Sequence, residues 1–273
     1  MNKPVICFSL VLYNHSLDTI YPLLASIKSF SGLTTDKYSL ITAVYDGSPS
    51  NFASPSLAQL ESALNGIDFF YDKGPNLGFG ASNNRNFLRA SLGERDYFVV
   101  VNPDISFLPE QLYPLFQWIF EHPECSCVAP LIRLQSGDIQ YSAKHNPTVL
   151  SLLLGRFPFL LNMKLLYRYN LWHKNMLLDY SKEFIVSTYL SGCFLIVPVW
   201  AYKSVGGFCE RYFLHVEDAD IVRRLSRVGL TLHNPLGFVI HGWARGSHFS
   251  FRQSLSLVKS FFVYCCIWGF KLF

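Results

Sequence analysis

Uninterrupted apolar runs, each closed by polar turn residues, dominate the first hundred residues. The segments "VICFSLVLYN", "YSLITAVYDGS", "IDFFYDKG" and "DYFVVVNPD" have this form. Runs without apolar–polar alternation are typical of strands buried on both faces of a parallel sheet. Between them, "SLDTIYPLLASIKSF" has helical spacing, and "NLGFGASNNRNFLRASLG" leads through glycines into a second helix. The order strand, helix, strand, strand, helix, strand predicts the nucleotide-binding half of an α/β fold with a mostly parallel central sheet and helices on both faces.

The second half is less regular but still α/β. Helices are predicted over 110–123, 199–207 and 217–229, and strands over 127–134, 187–198 and 230–242. Residues 145–182 show no clean period. In the first helix, we expect Ser16 to cap the N-terminus and Pro22 to kink the helix or displace its start.

Composition excludes several classes of protein. Half of the 273 residues are hydrophobic and 15% are charged, which excludes disorder. The net charge is only +4, and the chain lacks the dense Lys/Arg clusters of a nucleic-acid-binding protein. Seven cysteines without a CxxC pair predict reduced thiols in a cytosolic protein. The N-terminal apolar run is interpreted as a strand rather than a signal peptide.

Three of the predicted strands end in Asn14, Asp46 and Asp104. Ligands of open α/β sheets bind beyond the carboxyl ends of the strands, so these side chains lie where a ligand is expected. Asp104, in "NPD" after Asn102, has the oxygen ligands that Mg²⁺ or Mn²⁺ favours. The alternative is that Asn, Pro and Asp form an ordinary turn.

Further motifs also admit two interpretations. Glu217 and Asp218 open a helix whose dipole stabilises ionised carboxylates, as a general base requires, although helix capping explains them equally. The "NLGFG" segment suits a diphosphate or a plain glycine-rich connection. His241, at a strand end, is either structural or a second ligand of a metal held by Asp104, and Arg245 is a candidate phosphate contact.

The order of these motifs resembles the family 2 inverting glycosyltransferases of GT-A fold. "NLGFG", "NPD", "SGCFLIVP", "FLHVEDAD" and the later His occur in this order. Within the family, the chain looks most like the bacterial rhamnosyltransferases of O-antigen and cell-wall polysaccharide synthesis. The resemblance extends from about residue 5 to 247 and leaves the tail outside.

The resemblance implies roles for individual residues. A donor nucleotide-sugar would be bound by Tyr13, Asn14, Asp46, Asn76, Gly78, Gly80, Asn84, Asn102 and Arg245. Asn102 replaces the first Asp of the family's DxD motif, Asp104 stands at its last position as a ligand of a divalent metal (Mg or Mn), and His241 is a further metal ligand. Asp218 stands at the catalytic base, with Glu217 beside it.

The implied protein is one GT-A domain over residues 1–250, with a nucleotide-sugar-binding half (1–105) and an acceptor half (106–250), followed by an amphipathic tail (251–273). It would transfer L-rhamnose from dTDP-rhamnose to an undecaprenyl-diphosphate-linked saccharide with inversion. Two alternatives remain at this point: a UDP-sugar-dependent galactofuranosyl- or glucosyltransferase, and a non-catalytic nucleotide- or polysaccharide-binding module.

Two segments suggest a membrane partner. Residues 152–172 and 257–273 place Lys or Arg among large apolar residues, a composition typical of surfaces that lie on a bilayer. We therefore expect a peripheral protein on the inner face of the cytoplasmic membrane. Core helices or a homodimer contact are the alternatives.

Overall fold

The structure is a computed structural model that describes residues 3–242 and 251–273, with side chains from residue 254 in the second range. The strands are β1 (Val5–Leu12), β2 (Ser39–Asp46), β3 (Asp68–Lys73), β4 (Tyr97–Val101), β5 (Ile105–Ser106), β6 (Cys125–Leu134), β7 (Ala143–Lys144), β8 (Ile185–Val186), β9 (Tyr189–Leu190), β10 (Phe194–Pro198) and β11 (Leu230–His241). The helices are α1 (Leu17–Thr34), α2 (Leu57–Ala63), α3 (Phe79–Ala90), α4 (Pro109–Glu121), α5 (Val149–Arg156), α6 (Lys164–His173), α7 (Val199–Ser204), α8 (Glu217–Leu225) and α9 (Phe251–Trp268), with a 3₁₀ helix at Pro158–Asn162.

The central sheet has the strand order β3-β2-β1-β4-β10-β6-β11-β5, and β8 pairs with β11. Strands β1 to β4 run parallel to one another, and β6 and β11 share their direction. Strand β10 runs antiparallel between β4 and β6, with Phe194 opposite Val101. The start of β10 therefore lies beside the carboxyl end of β4. Strands β7 and β9 form a separate pair.

Both faces of the sheet are buried, as the apolar runs predict. Alternate residues of β1 point to opposite faces: Phe8 packs with α1 and α4, whereas Cys7 packs with the cluster that includes α7 and α8. Both side chains are fully buried. The predicted mixed α/β class with a largely parallel sheet is therefore confirmed.

Details of the first helix differ from the prediction. Helix α1 begins at Leu17 and continues through Pro22, so the start is not displaced. Ser16 occupies the N-cap position, but its side chain makes no capping hydrogen bond and instead contacts Thr19 Oγ1 at 3.1 Å. Helix α2, between β2 and β3, was not predicted, because it is only seven residues long and has one buried residue, Leu60.

The tail forms helix α9, which packs on helix α8 and the loop before it. Trp268 Nε1 donates to Asp220 Oδ1 at 2.8 Å, and the Arg223 guanidinium lies 4.2 Å from the Trp268 ring centroid. Ser260 Oγ donates to the Leu214 carbonyl at 2.8 Å. The tail is thus tied to the segment that carries the predicted catalytic carboxylates.

Candidate active site

The carboxyl edge of the sheet brings most of the predicted site residues together. The parallel strands β1, β2 and β4 all end there: Asn14 and Asp104 follow β1 and β4, and Asp46 is the last residue of β2. Strand β10 starts at the same edge because it is antiparallel to β4. Strand β11 ends there as well, since His241 pairs with Ile105.

An open cleft of about 390 Å³ lies beyond β1, β2 and β3. Its lining residues are Tyr13, Gly47, Ser48, Pro49, Ser50, Lys73, Gly74, Pro75 and Asn76. Tyr13 is 48% exposed, so its ring is available to a planar ligand. Asn14 shapes the cleft through its backbone, which has a φ of 58° and donates to Ser48 Oγ at 2.8 Å. A cleft with an exposed aromatic ring, hydroxyls and a lysine suits a nucleoside.

Asp46 lies beneath the wall of this cleft and is fully buried. Its Oδ1 accepts from Ser48 N at 2.8 Å, its Oδ2 accepts from Tyr71 OH at 3.1 Å, and Lys73 Nζ lies 3.6 Å away. Burial alone would raise the pKa of Asp46, but hydrogen bonds from Ser48, Ser54 and Tyr71 outweigh it and hold the pKa below its usual value. An ionised Asp46 therefore orders the loop that forms the cleft.

His15 contacts the cleft residue Tyr13 and is influenced electrostatically by Asp104 and Asp46, although the sequence pattern did not single it out. Its Nδ1 accepts from Tyr13 N at 3.0 Å, which leaves the proton on Nε2. Burial lowers the pKa of His15, against the opposing effect of the Asp104 and Asp46 charges. His15 follows an exposed turn rather than a recognisable motif, so no sequence signal marked it.

Asp104 and His241 face each other across the end of β11. His241 Nε2 lies 3.2 Å from Asp104 Oδ1, while His241 Nδ1 lies 2.7 Å from Gln140 Oε1. Because the Gln140 oxygen can only accept, the imidazole proton sits on Nδ1 and the Nε2 lone pair points at the carboxylate. Burial would raise the pKa of Asp104, but when a second proton occupies His241 Nε2, the hydrogen bond and positive charge of that ring outweigh burial and lower the pKa. Two acceptor atoms in this arrangement call for a proton or a metal cation between them.

One short segment connects this pair to the second carboxylate. Asn102 N donates to the Cys193 carbonyl at 2.9 Å, and the neighbouring Gly192 N donates to Asp218 Oδ2 at 3.0 Å. Both Asp104 and Asp218 raise the pKa of the buried Cys193 thiol, after burial itself, so both carboxylates lie close to this thiol. Asp104 and Asp218 are therefore brought to one region, although they are far apart in the sequence.

Gly192 allows a close approach at this junction. A Cβ added there would lie 3.0 Å from Asp218 Cβ, so Asp218 would have to shift by a few tenths of an ångström to accommodate a side chain. Gly192 belongs to the quoted "SGCFLIVP" segment, but nothing in the sequence indicated which acidic residue it approaches. Gln140, which orients His241, also lay outside every motif.

Asp218 and Glu217 differ in their surroundings. Asp218 is partly exposed and accepts from Gly192 N, whereas Glu217 is 5% exposed and its Oε2 has no hydrogen-bond partner among the described residues. Burial, and then the Asp218 charge, raise the pKa of Glu217 to about 8. A buried carboxyl that holds its proton at neutral pH is a poor base, so the geometry argues against the predicted catalytic role of Glu217.

Backbone strain precedes the two carboxylates. His215 and Val216 have φ values of 73° and 68°, and Val216 is the residue before α8. A β-branched residue in the left-handed region is rare and costs roughly 1–3 kcal/mol. The hydrogen bond from Ser260 to Leu214 helps to hold this loop in place.

The "NLGFG" glycines serve packing within the protein. A Cβ on Gly78, whose φ is 84°, would lie 2.1 Å from the Phe213 carbonyl oxygen, and one on Gly80 would lie 2.9 Å from Phe208 Cβ. The first N–H of α3, on Phe79, donates to that same Phe213 carbonyl at 3.1 Å. The segment thus packs against the loop that leads to Asp218, and this first N–H is not free for a diphosphate.

Asn84 is also bound within the protein. Its Oδ1 accepts from Tyr202 OH and Phe208 N, and its Nδ2 donates to the Phe208 carbonyl and Glu210 Oε1, all within 2.7–2.9 Å. Its hydrogen-bond capacity is used, which argues against the predicted donor contact. Asn76 remains open to the cleft, although its Oδ1 accepts from Gly78 N. Arg245 lies outside the described residues.

Comparisons with known proteins show what the chain resembles in sequence and in fold. The chain is 32% identical over 189 residues to the N-acetylglucosaminyl-diphospho-decaprenol L-rhamnosyltransferase of Mycobacterium tuberculosis, an alignment that covers 62% of this chain and 56% of that protein. It is 26% identical over 184 residues to the rhamnosyltransferase WbbL of Escherichia coli, covering 65% and 64% of the two chains. The chain therefore spans less than two thirds of either relative. No protein-family model matches it.

Among solved structures, GalNAc-T7 with UDP, GalNAc and Mn²⁺ superimposes with a TM-score of 0.60 at 14% identity, covering 89% of this chain and 44% of that one. At this identity the match shows the fold alone. Sequence and fold together confirm the predicted resemblance. This chain has the GT-A glycosyltransferase fold and is related in sequence to rhamnosyltransferases.

Proposed function

We propose that this protein is an inverting glycosyltransferase that moves L-rhamnose from dTDP-rhamnose to a hydroxyl of a lipid-diphosphate-linked saccharide in the synthesis of a bacterial surface polysaccharide such as O-antigen. The observation that carries the proposal is the junction at residues 192–193, which bonds to Asp218 on one side and to Asn102, two residues before Asp104, on the other. The M. tuberculosis relative, an N-acetylglucosaminyl-diphospho-decaprenol L-rhamnosyltransferase, supports a lipid-diphosphate acceptor and a rhamnosyl donor.

In this mechanism Asp218 takes the proton from the acceptor hydroxyl. The oxygen then attacks the anomeric carbon from the side opposite the nucleotide, the bond to the diphosphate breaks, and the configuration inverts. The hydrogen bond from Gly192 N fixes the position of the Asp218 carboxylate. The cleft beside Tyr13 holds the base and ribose, and the donor diphosphate extends from it towards His15 and Asp104, which influence each other electrostatically.

Asp104 and His241 are the residues that would hold a divalent cation. Their facing acceptor atoms, with the Nδ1 proton of His241 directed to Gln140, fit such an ion. Among the described residues, no group of three or more His, Cys, Asp or Glu side chains is placed to hold a metal ion. The remaining ligands would therefore come from Asn102, the donor or water. When bound, the cation would neutralise the charge that develops on the departing diphosphate.

A thermal-shift panel tests the donor and the cation. We expect dTDP with Mn²⁺ or Mg²⁺ to raise the melting temperature by several degrees, because ligand at one hundred times its Kd stabilises a protein by about 2.7 kcal/mol. Asp104→Asn should abolish the metal-dependent part of the shift and leave the part produced by nucleotide alone. The control is Asp138→Asn, an exposed acidic residue paired with Ser136.

The outcomes of this panel separate the candidate functions. A larger shift with UDP would favour the UDP-sugar alternative, and turnover of dTDP-rhamnose would then be absent. No response to any nucleotide would contradict a nucleotide-sugar-dependent transferase altogether.

The membrane is the proposed meeting place of enzyme and acceptor. Residues 271 and 272 accept hydrogen bonds from the first two residues of α5 at 3.0 Å, so the chain end continues the surface of α5, the 3₁₀ helix and α6. We define the apolar face as the exposed residues Leu153, Phe157, Phe159, Met163, Leu165, Phe270 and Phe273. Exposed Lys164, Arg168 and Lys271 lie among them, which suits a surface of anionic lipid. No helix in the described part of the chain is long and apolar enough to cross a bilayer.

Flotation with liposomes tests the apolar face. Truncation of the tail would also remove the hydrogen bond from Trp268 to the buried Asp220, so point variants are more informative. We expect the triple variant Phe159→Ser, Leu165→Ser and Phe273→Ser to bind phosphatidylglycerol liposomes at least about tenfold more weakly, since each buried apolar side chain contributes about 1.5–3 kcal/mol. Leu88→Ser, on α3 and equally exposed, is the control. Undiminished flotation of the triple variant would contradict the membrane proposal.

A further inference from the structure

Four basic side chains meet beside the candidate active site. The basic cluster consists of Lys144 and His145, on and just after β7, with His173 and Lys174 at the end of α6. Hydrogen bonds join the two segments: His145 N donates to the His173 carbonyl at 2.8 Å, and Tyr180 OH contacts the carbonyls of both Ala143 and Lys174. The cluster is therefore a fixed part of the fold.

The basic cluster has no acidic partner in the structure. Neither Lys144 Nζ nor Lys174 Nζ forms a salt bridge or hydrogen bond with any described residue, and residues 1–2 and 243–250 contain no Asp or Glu. His173 is 6% exposed, and its Nε2 has no hydrogen-bond partner among the described residues. Polar atoms buried to this extent normally have a partner, which points to a ligand.

The charges in the cluster repel one another. Burial, and then Lys144, lower the pKa of Lys174. Burial, followed by the charges of Lys144, His145 and Lys174, lowers the pKa of His173 to about 3. Complementing the dipole at the end of α6 would explain His173 and Lys174, but not Lys144 and His145, which come from another element. His173 is therefore uncharged at neutral pH, and a bound anion would relieve the repulsion between the Lys144 and Lys174 ammonium groups.

The position of the cluster identifies the anion. Lys144 Nζ lies 4.9 Å from the ring centroid of Tyr189. Burial, followed by the charges of Asp218 and Glu217, raises the pKa of the Tyr189 hydroxyl. Lys144 also lowers the pKa of the Cys193 thiol against the opposing Asp104 and Asp218, so it borders the candidate active site. The donor cleft at Tyr13 is a different pocket, lined by none of the basic cluster.

On its other side the cluster adjoins exposed apolar residues. His145 stacks on Trp172 with ring centroids 4.1 Å apart, and Trp172 is 50% exposed. Trp172 belongs to α6, the same helix that carries Leu165 of the apolar face. A molecule that spanned this region would place a sugar at Asp218, an anionic group at Lys144 and Lys174, and hydrocarbon beside Trp172.

We infer that the basic cluster binds the diphosphate of the lipid-linked acceptor, with Lys144 and Lys174 as its charged contacts. This inference rests on the proposed function, because it places the acceptor sugar at Asp218. Lysine ammonium groups bind phosphate oxygens through charge-assisted hydrogen bonds. The cluster thereby fixes the distance from the lipid anchor to the reacting hydroxyl, and selects acceptors that carry a diphosphate.

Direct binding tests the inference on the full chain without turnover. Farnesyl diphosphate, farnesol and inorganic pyrophosphate are titrated in EDTA against wild type, Lys144→Met/Lys174→Met, and the control Lys182→Met. Lys182 is exposed and paired with Asp179. We expect the double variant to bind farnesyl diphosphate about 100-fold more weakly, about tenfold for each lysine, with farnesol binding unchanged. The control should bind like wild type.

Three results would overturn the inference. The first is equal binding of farnesyl diphosphate by wild type and the double variant. The second is a loss of farnesyl diphosphate binding in Lys182→Met as large as in the double variant. The third is binding of pyrophosphate as tight as that of farnesyl diphosphate, which would indicate a site for free phosphate. In turnover assays, the double variant should raise the KM for a lipid-diphosphate acceptor and leave kcat nearly unchanged. Absence of wild-type turnover together with the binding difference would refute the proposed function and leave the anion site standing.

Discussion

The variant Asp218→Asn is expected to lose about 10²–10⁴-fold in kcat, because a positioned general base contributes that much to proton transfer. The substitution is nearly isosteric: an Asn oxygen still accepts the Gly192 N–H, and only the bond from the adjacent Ala219 N is lost. The nucleotide cleft lies at Tyr13 and Ser48, outside the Asp218 contacts, so donor binding should change little. Turnover with dTDP-rhamnose and a lipid-linked acceptor, together with nucleotide binding by calorimetry, measures both quantities.

Glu217→Gln is the matched control for this experiment. Glu217 is buried beside Asp218 and retains its proton at neutral pH, so a neutral amide should change kcat by only a few fold. If Asp218→Asn turns over like wild type, Asp218 is not the base. If Glu217→Gln shows the large loss instead, the two carboxylates have the opposite roles from those assigned to them above.

The variant Asp220→Asn is expected to lower the free energy of unfolding by about 3 kcal/mol, since removing one partner of a buried ion pair leaves the other charge uncompensated. Asp220 is 1% exposed, and its Oδ2 accepts from Arg224 Nε and Nη2 at 2.9 and 2.7 Å. Arg224 also donates to the carbonyls of Val205 and Gly207, so the pair fastens α8 to the segment after α7. Urea denaturation of the full chain measures the loss.

Asp179→Asn provides the comparison, because the Asp179–Lys182 pair is exposed to solvent. Water already screens that pair, so its denaturation midpoint should match wild type. A wild-type midpoint for Asp220→Asn would mean that the Arg224 charge is accommodated by backbone carbonyls alone. The roles of Asp220 and Arg224 in joining α7, α8 and α9 would then need another explanation.

Periodicity predicted the parallel half of the fold because β4 is buried throughout and most of β1 is buried, and such apolar runs are recognisable without tertiary information. It did not predict α5, the 3₁₀ helix and α6. Their exposed Phe159 and Leu165 break the apolar–polar period on which helix prediction depends. The strand-end Asp46 and Asp104 were likewise recognisable, since the carboxyl ends of parallel strands share one edge.

Individual roles in the site were less predictable. Asn84 and the "NLGFG" glycines resemble ligand contacts in sequence, yet their contacts are with Tyr202, Phe208 and Phe213. A sequence gives the residue type, but not the neighbour with which a side chain forms its hydrogen bonds or the neighbour that occupies the space beside a glycine. Gln140 went unnoticed because it acts through one contact with His241, which is distant in the sequence.

The sequence by itself determined the layered α/β architecture and the candidate acids, because burial period and strand-end chemistry are local properties of the chain. Only the tertiary structure decided which acids meet. Antiparallel insertion of β10 next to β4 places Gly192 and Cys193 between the segments that carry Asp104 and Asp218. Burial raises the pKa of Glu217, whereas the neighbouring Asp218 is partly exposed. Such pairings depend on the order of strands in the sheet, which adjacent residues along the chain do not encode.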